Sequence, residues 1–256
     1  MSRGPRLPEG LFRRTPRLEH SAVSAYYHTV VKVLQSIHFY DQRNERHAAI
    51  ISDLLGPSLL GARVALDLGC GPGNMTARLP AARLLVGIDS DRFSLVHSIE
   101  PKTLRIQALA ERLPIRTGSV TIAVAISLVE HIADHAAFFQ EVARILEPNG
   151  CAVLQIPELR YPVELHTKWP VLYVWRSSIR NRVLAATGYE DLNMSTSLEG
   201  TIRLAEKAGL DLSRVIPVWH FRLARLAGVP MGYFILLRKS GHEINRRDTR
   251  GPFGGS

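Results

Sequence analysis

The sequence predicts an α/β protein with one Rossmann-like, seven-stranded, mostly parallel sheet, helices on both faces and an antiparallel last strand. Short apolar runs alternate with stretches of helical spacing through the middle of the 256-residue chain. Each run is apolar throughout, which is typical of parallel strands that are covered on both faces. The first run ends in a glycine-rich turn, as expected where a strand meets a helix beside a bound ligand.

The elements can be predicted in order along the chain. Apolar spacing predicts a helix over 20–38 and another over 44–55, which stops at Gly56-Pro57. Strands are then predicted over 63–68, 84–88, 104–108, 120–126 and 151–156. Helices are expected from about Asn74, over 134–146 and over 198–208. The last two strands, over 210–218 and 231–237, are expected to be antiparallel to each other.

This rhythm divides the chain into three parts. Residues 1–58 are expected to hold the N-terminal helices and a basic arm, residues 59–238 the ligand-binding domain, and residues 239–256 a basic flexible tail. Within the domain, residues 158–195 show no clear period and carry two tryptophans and several arginines. We interpret this segment as an insertion at the binding site.

Composition narrows the classes of protein to consider. Apolar residues make up 46% and charged residues 21%, so the chain can bury a core and is not disordered throughout. No apolar run approaches the ~20 residues of a membrane-spanning helix, and no apolar stretch follows the N-terminal arginines as in a secretory signal. Two cysteines are too few for a disulfide scaffold. Together these features predict a cytoplasmic protein.

The net charge of +9 is concentrated at the ends of the chain. Residues 61–160 are neutral overall, whereas 161–256 hold 14 basic and 8 acidic residues. Basic flanks suit nucleic acid, an anionic membrane surface or an acidic substrate, and they also suit an ordinary solvated surface. Over 169–182, aromatic residues stand beside arginines, which is compatible with contact to a membrane surface or with a cap over the binding pocket.

The strongest local signal is the turn Asp67-Leu68-Gly69-Cys70-Gly71-Pro72-Gly73. Gly69, Gly71 and Gly73 permit a tight turn and let a ligand approach the backbone closely. Asp89 ends the next predicted strand, 22 residues after Asp67, and an acid at that place suits the hydroxyls of a ribose. A dinucleotide and S-adenosylmethionine both fit a glycine turn with a ribose acid.

Two details favour S-adenosylmethionine over a dinucleotide. The dinucleotide fingerprint requires a third glycine where this chain has Asn74. The negative charge of Asp67 would repel a pyrophosphate but would attract a cationic ligand.

Five segments resemble, in the same order, the motifs of class I S-adenosylmethionine-dependent methyltransferases. They are Val64–Gly73, Val86–Ser90, Ala110–Pro114 with Gly118–Val120, Ser127–Asp134 and Glu141–Gly150. The resemblance implies that the three glycines lie under the methionine part of the cofactor, with Asp67 near its amino group. It also implies cofactor contacts for Asp89 and Ser90 at the ribose, for Ala110 and Glu111 near the adenine, and for Ser127.

Leu109 departs from the family pattern, which often has an acid at this position. The resemblance would otherwise place that acid against the amino group of the adenine. Recognition of the adenine is therefore expected to rest on backbone groups in this chain.

Methyl transfer from a sulfonium is an in-line displacement, in which positioning supplies much of the rate. A hydroxyl acceptor also needs a general base, because it must lose its proton. His131, after the fourth strand, is one candidate, with support of the cofactor site as the alternative. His166, after the fifth strand and near Glu164, is another, with a lid held by hydrogen bonds as the alternative. His220 fits a structural position better.

The resemblance favours a small-molecule acceptor, methylated on a hydroxyl of a sugar, a lipid-linked compound or a secondary metabolite. Two other functions remain open. The basic flanks would suit an RNA methyltransferase, although no added RNA-binding module is visible. A non-catalytic binding protein with this fold is the third possibility. No His and carboxylate spacing predicts a metal site.

Overall fold

In this computed structural model the described residues are 37–56, 62–79, 82–98, 103–162, 176–187, 192, 197–219 and 228–240. The helices are α1 (Ile37–Leu55), α2 (Arg92–Val96), α3 (His135–Ile145), α4 (Ser177–Thr187) and α5 (Leu198–Lys207). The strands are β1 (Val64–Leu68), β2 (Leu84–Asp89), β3 (Leu104–Gln107), β4 (Val120–Ile126), β5 (Leu146–Pro157), β6 (Leu210–Val218) and β7 (Gly232–Lys239).

Within these residues the seven strands form one sheet in the order β3-β2-β1-β4-β5-β7-β6. β1 pairs in parallel with β2 and β4, and the pairs β2–β3 and β4–β5 are also parallel. β7 runs antiparallel to both β5 and β6. The predicted sheet is therefore confirmed, including its antiparallel last strand. The strand order reverses between β1 and β4, and ligands of open α/β sheets bind above the carboxyl ends at such a point.

Two apolar layers cover the sheet, one on each face. Leu66 of β1 packs in the layer that holds Phe138 and Phe139 of α3. Its neighbour Ala65 faces the opposite layer, together with Ile51 of α1. Because successive side chains of a strand point to opposite faces, a strand that is covered on both faces, such as β4, needs apolar residues at most positions. This requirement explains the unbroken apolar runs of the sequence.

Polar side chains fix where three of the helices begin. The carboxylate of Asp134 accepts a hydrogen bond from the Ala137 N–H at 3.0 Å and starts α3. Asp91 starts α2 in the same way, and the Ser197 hydroxyl starts α5. Each of these side chains satisfies a backbone donor that has no partner within the first turn of its helix.

The prediction of a helix from about Asn74 is wrong. Only a short 3-10 turn, Thr76–Arg78, follows the glycine loop. Leu79 is extended, with φ −69° and ψ 144°, and it precedes a proline in the sequence. Proline disfavours the helical conformation of the residue before it, so the chain cannot continue as a helix here.

β5 begins five residues earlier than predicted, at Leu146. Val120 of β4 pairs with Leu146 and Ile122 pairs with Cys151, so the residues between form a bulge. Asn149 has a φ of 65°, and a Cβ on Gly150 would lie 2.8 Å from the Glu147 carbonyl oxygen. The predicted turn is thus a tight distortion within the strand.

Several expectations concern residues outside the described ranges. These include residues 20–36 of the helix predicted over 20–38, most of the basic arm and the tail after residue 240. The helix predicted over 44–55 begins earlier than expected, at Ile37, and so includes the last two residues of the helix predicted over 20–38. Of the insertion 158–195, the structure describes 158–162, α4 and Leu192. The three-part division of the chain stays a prediction. In the described part, no helix is both long and apolar enough to cross a bilayer.

His47 of α1 lies in the core with 4% of its surface exposed. Its ring packs edge-on against Phe234 of β7, with 5.0 Å between the centroids. Its Nδ1 atom is buried and has no hydrogen-bond partner among the residues that the structure describes. Burial, together with the smaller effect of the charge of Arg43, lowers the pKa of His47 from its ordinary 6.5 to about 4. His47 is therefore neutral in the folded protein at pH 7.

We expect His47→Leu to weaken the loss of stability that acid causes. Between pH 6.5 and about 4 the unfolded chain protonates this histidine and the folded chain does not, so stability at this site rises with pH. When the pH falls from 7 to 5, the free energy of unfolding should become less favourable to the folded state by about 2 kcal/mol more in the wild type than in the variant. Urea unfolding of both proteins at the two pH values measures this difference. Identical pH dependence would show that His47 does not titrate as described.

Candidate functional site

The loop after β1 and the end of β2 are joined by hydrogen bonds. The N–H groups of Gly69 and Cys70 donate to the Ile88 carbonyl at 2.8 and 3.1 Å. The Gly71 N–H donates to Oδ2 of Asp89 at 2.8 Å, and the Asp91 N–H donates to Oδ1 at 2.8 Å. The structure thus brings the predicted glycine loop and the predicted acid together at the carboxyl edge of the sheet. Asp89 is half-buried.

The glycines of the loop have different structural roles. Gly69, Gly71 and Gly73 all have positive φ, at 69°, 52° and 88°. A Cβ on Gly69 would lie 2.8 Å from Cδ1 of Leu128, whereas a Cβ on Gly71 would meet no atom of the described residues within 4 Å. Gly69 therefore makes room for the segment after β4. Gly71 borders open space, where a ligand can reach the backbone.

Asp67 lies below the loop and is 2% exposed. Its Oδ2 accepts a hydrogen bond from the Thr76 hydroxyl. Burial raises the pKa of Asp67 to about 7; the hydrogen bond from Thr76 opposes this rise and the charge of Asp89 adds to it. The Asp67 carboxyl is therefore bonded within the protein, and its contact with a ligand stays a prediction.

An open groove of about 440 Å³ lies beside the end of β3. We call it the β3 groove; its lining residues are Gln107, Ala108, Leu109, Arg112, Leu113 and Pro114. The Ala108 N–H donates to the Asp89 carbonyl at 3.0 Å, and Gln107 Nε2 donates to the Ser90 carbonyl at 3.1 Å. These bonds fix one wall of the groove to the loop that carries Asp89.

The predicted residues near this groove differ in exposure. Ala110 is 8% exposed and packs in the core, and Glu111 is half-buried. Leu109 is 60% exposed and lines the groove. Arg112 also lines the groove, although sequence analysis did not assign it to the site. Its position in the loop after a predicted strand, three residues beyond Leu109, is a signal that could have indicated it.

Ser127 follows β4 in a left-handed backbone conformation, with φ 52°. Its N–H and its hydroxyl both donate to Oε1 of Gln155, at 3.1 and 2.8 Å. Such a conformation is strained for a residue other than glycine, and strain of this kind is often found at functional sites. Gln155 of β5 is 6% exposed and was missed by sequence analysis, although a polar residue within an apolar strand is a usable signal.

His131 lies at the same edge, in a 3-10 turn formed by Val129–His131. It is half-buried, and its backbone N–H donates to the Leu128 carbonyl at 2.8 Å. His166 and His220 lie outside the described residues, as do Trp169–Trp175. The structure therefore places one of the proposed bases near the site and does not describe the others.

A polar cluster that sequence analysis missed stands at the end of β5. The Tyr233 hydroxyl donates to Oε2 of Glu158 at 2.8 Å, and the Arg160 N–H and Nε donate to Oε1 at 2.9 and 3.1 Å. Although burial raises the pKa of Glu158, the hydrogen bonds from Arg160 and Tyr233 hold it below its ordinary value. This cluster fixes a charged carboxylate at the edge of the sheet.

The described residues contain no group of three or more His, Cys, Asp or Glu side chains that could hold a metal ion. Cys70 and Cys151 are both buried and free. Burial raises the pKa of the Cys70 thiol to about 12, and the charges of Asp67 and Asp89 raise it as well. This thiol is therefore protonated at neutral pH, and a nucleophilic role is disfavoured.

Comparison with known proteins connects this site to a family. A family model described as a methyltransferase domain matches residues 66–154. A "probable S-adenosylmethionine-dependent methyltransferase" of Mycobacterium tuberculosis is 32% identical over 99 residues, which are 38% of this chain and 36% of that protein. A trans-aconitate 2-methyltransferase of Azoarcus sp. is 31% identical over 133 residues, 48% of this chain and 49% of that protein. The chain spans about half or less of the length of these curated relatives.

A solved structure of similar fold is the S-adenosylmethionine-dependent methyltransferase from Mesorhizobium loti. It superposes with a TM-score of 0.55 at 19% identity and covers 72% of this chain and 97% of that chain. At this identity the comparison establishes the fold.

We expect Gly69→Ala to destabilise the fold more than Gly71→Ala. Both variants place a side chain at positive φ, which costs roughly 1–2 kcal/mol, but only the Gly69 variant also presses on Leu128. Urea unfolding should show a larger loss for Gly69→Ala, by about 1–3 kcal/mol. Equal losses in the two variants would mean that Leu128 moves aside freely.

Proposed function

We propose that this chain transfers a methyl group to a small-molecule acceptor. Residues 66–154 form a class I S-adenosylmethionine-dependent methyltransferase domain, and this domain is the basis of the proposal. The observation that carries the proposal is the hydrogen bond from the Gly71 N–H to the Asp89 carboxylate. It joins the two parts of the site that would hold the methionine part and the ribose of one cofactor molecule.

The residues at the site fit this cofactor. Asp89 accepts one backbone hydrogen bond at each carboxylate oxygen, and each oxygen keeps a lone pair for a ribose hydroxyl. Open space above Gly71 leaves room for the methionine part. Two lining residues of the β3 groove, Ala108 and Gln107, are bonded to the backbone of Asp89 and Ser90. The volume of the groove is sufficient for a purine base.

The chain's own residues would act mainly by positioning. S-adenosylmethionine, when bound, supplies a methyl group on a cationic sulfur. Asp89 would hold the ribose, the β3 groove would hold the adenine, and the loop at Gly71 would support the methionine part. Ser127, which Gln155 holds in place, would shape the floor next to the acceptor. Fixing both reactants in line lowers the barrier of a displacement without further chemistry by the protein.

A hydroxyl acceptor would need a base to take its proton. Among the described residues, His131 is the candidate for this base, because it lies in the short 3-10 turn that follows β4. His166 remains a proposal outside the described residues. Replacing each histidine by Gln and measuring the rate against pH would separate the two.

We propose a hydroxyl of a sugar, a lipid-linked compound or a secondary metabolite as the acceptor. A relative named for methylation of trans-aconitate supports a small molecule in general. Contact of the 169–182 segment with a membrane surface is a further proposal. It is supported by Ile179, which is 47% exposed, and by the exposed Arg176 and Arg182 on either side of it.

RNA methylation is the alternative that the basic flanks favour. RNA binding through arginines would weaken steeply with added salt, whereas transfer to a small neutral acceptor would not. Assaying label transfer from methyl-labelled S-adenosylmethionine to RNA and to a panel of sugars and lipid-linked compounds distinguishes these proposals. A non-catalytic protein would bind the cofactor and transfer no label to any acceptor.

We expect Asp89→Ala to weaken S-adenosylmethionine binding by about 10- to 100-fold, because charged hydrogen bonds to the ribose contribute roughly 1.5–3 kcal/mol. Isothermal titration calorimetry of the wild type and the variant measures this change.

Asp91→Asn is the matched control, since it changes the charge two residues away. Asn still caps a helix well, so its affinity should stay within about twofold of the wild type. Absence of binding to the folded wild type would contradict the proposed function, and equal weakening by the two variants would contradict the role of Asp89.

A further inference from the structure

We infer that Glu141 and Arg144 of α3 form a positioning pair that holds the far wall of the β3 groove and so sets the affinity for the adenine half of the cofactor. This inference rests on the proposed function. It extends that function to two residues that lie on a helix outside the cofactor loops.

The two walls of the β3 groove are held by different parts of the fold. Gln107 and Ala108 are bonded to the backbone of Ser90 and Asp89. Leu113 and Pro114 also line the groove; they lie in the loop that joins β3 to β4, and we call this part of the lining the far wall. Loop backbone cannot use a strand or helix ladder, so its polar groups need other partners.

For the far wall, that partner is the Glu141–Arg144 pair. The Leu113 N–H donates to Oε2 of Glu141 at 2.8 Å, and its carbonyl accepts from Nη2 of Arg144 at 3.0 Å. Nη1 of Arg144 also donates to the Ile115 carbonyl at 2.7 Å and to the Thr117 hydroxyl at 3.2 Å. One ion pair therefore fixes both backbone polar groups of a groove residue and also binds Ile115 and Thr117, further along the same loop.

The pair is itself rigid. Arg144 and Glu141 share two hydrogen bonds, Nε to Oε1 at 2.7 Å and Nη2 to Oε2 at 2.8 Å. Their side chains are 33% and 19% exposed. Hydrogen bonds from Arg144 hold the pKa of Glu141 below its ordinary value, so the pair stays charged at neutral pH. Lysine cannot reproduce this arrangement, because it lacks the planar fork of donors.

Positioning matters here because the groove has few polar side chains. Leu109, which lines the groove, is apolar and 60% exposed, and Gln107 is already bonded to Ser90. A bound base would therefore depend on backbone groups, on Arg112 and on the shape of the walls. A shift of Leu113 would then weaken adenine binding and leave the acceptor side of the site unchanged.

The test compares Arg144→Met with Arg63→Met. Arg63 also pairs with a glutamate close to α3, Glu147, but it lies just before β1, at the opposite edge of the sheet. We expect Arg144→Met to weaken S-adenosylhomocysteine binding about tenfold and Arg63→Met to leave it within about twofold. Arg144→Lys should resemble Arg144→Met, since the fork is lost in both.

Kinetics and stability separate positioning from a general loss of structure. With any acceptor found in the label-transfer screen, Arg144→Met should raise KM for S-adenosylmethionine about tenfold and change kcat and the acceptor KM by less than about twofold. If Arg144→Met does not fold, Glu141→Gln preserves the shape and removes the charge. It should weaken S-adenosylhomocysteine binding about threefold.

The outcomes distinguish this inference from the proposed function. The inference is overturned if the wild type binds S-adenosylhomocysteine and a folded Arg144→Met variant binds it equally well. The proposed function stays intact in that case. Equal weakening by Arg63→Met also overturns it, because the effect would then be one of stability alone. Folded wild type that binds no adenine compound overturns both.

Discussion

The connection between the loop after β1 and the end of β2 is the constraint on which the site depends. Two backbone N–H groups of the loop share the Ile88 carbonyl, and a third, that of Gly71, reaches the Asp89 carboxylate. These bonds are possible only because the two strands are parallel neighbours that end at the same edge. The β3 groove is attached to the same loop through the Asp89 carbonyl. A single hydrogen-bonded unit thus links three strand ends.

The sequence was sufficient to predict this arrangement in outline, because the information is local. Unbroken apolar runs predict strands covered on both faces, and Gly71 and Asp89 follow such runs directly. The pattern predicts a helix after Asn74 wrongly, because it takes no account of the proline that follows Leu79, where the chain is extended. The residues around Asn149 predict a turn and not a bulge, since turn residues look alike within a strand and between strands.

Other features of the site depend on contacts between distant residues, which one sequence does not display. Gln155 holds Ser127 across 28 positions, and Arg144 reaches Leu113 across 31. Gly69 and Gly71 look equivalent in the motif, but only the position of Leu128 shows that the first serves packing. The identity of the acceptor is harder still to predict, because the fold supports many chemistries and acceptor specificity lies in segments added to it.

Two buried groups give folding an unusual proton balance. Burial places the pKa of Asp67 near 7, above its ordinary 3.8, so the folded chain keeps a proton there that the unfolded chain releases. His47 does the reverse, with its pKa near 4 in place of 6.5. Between pH 4 and 6.5, one group takes up a proton on folding and the other gives one up. Acid therefore favours the folded state at Asp67 and the unfolded state at His47, and the two opposing dependences flatten the overall response of stability to pH.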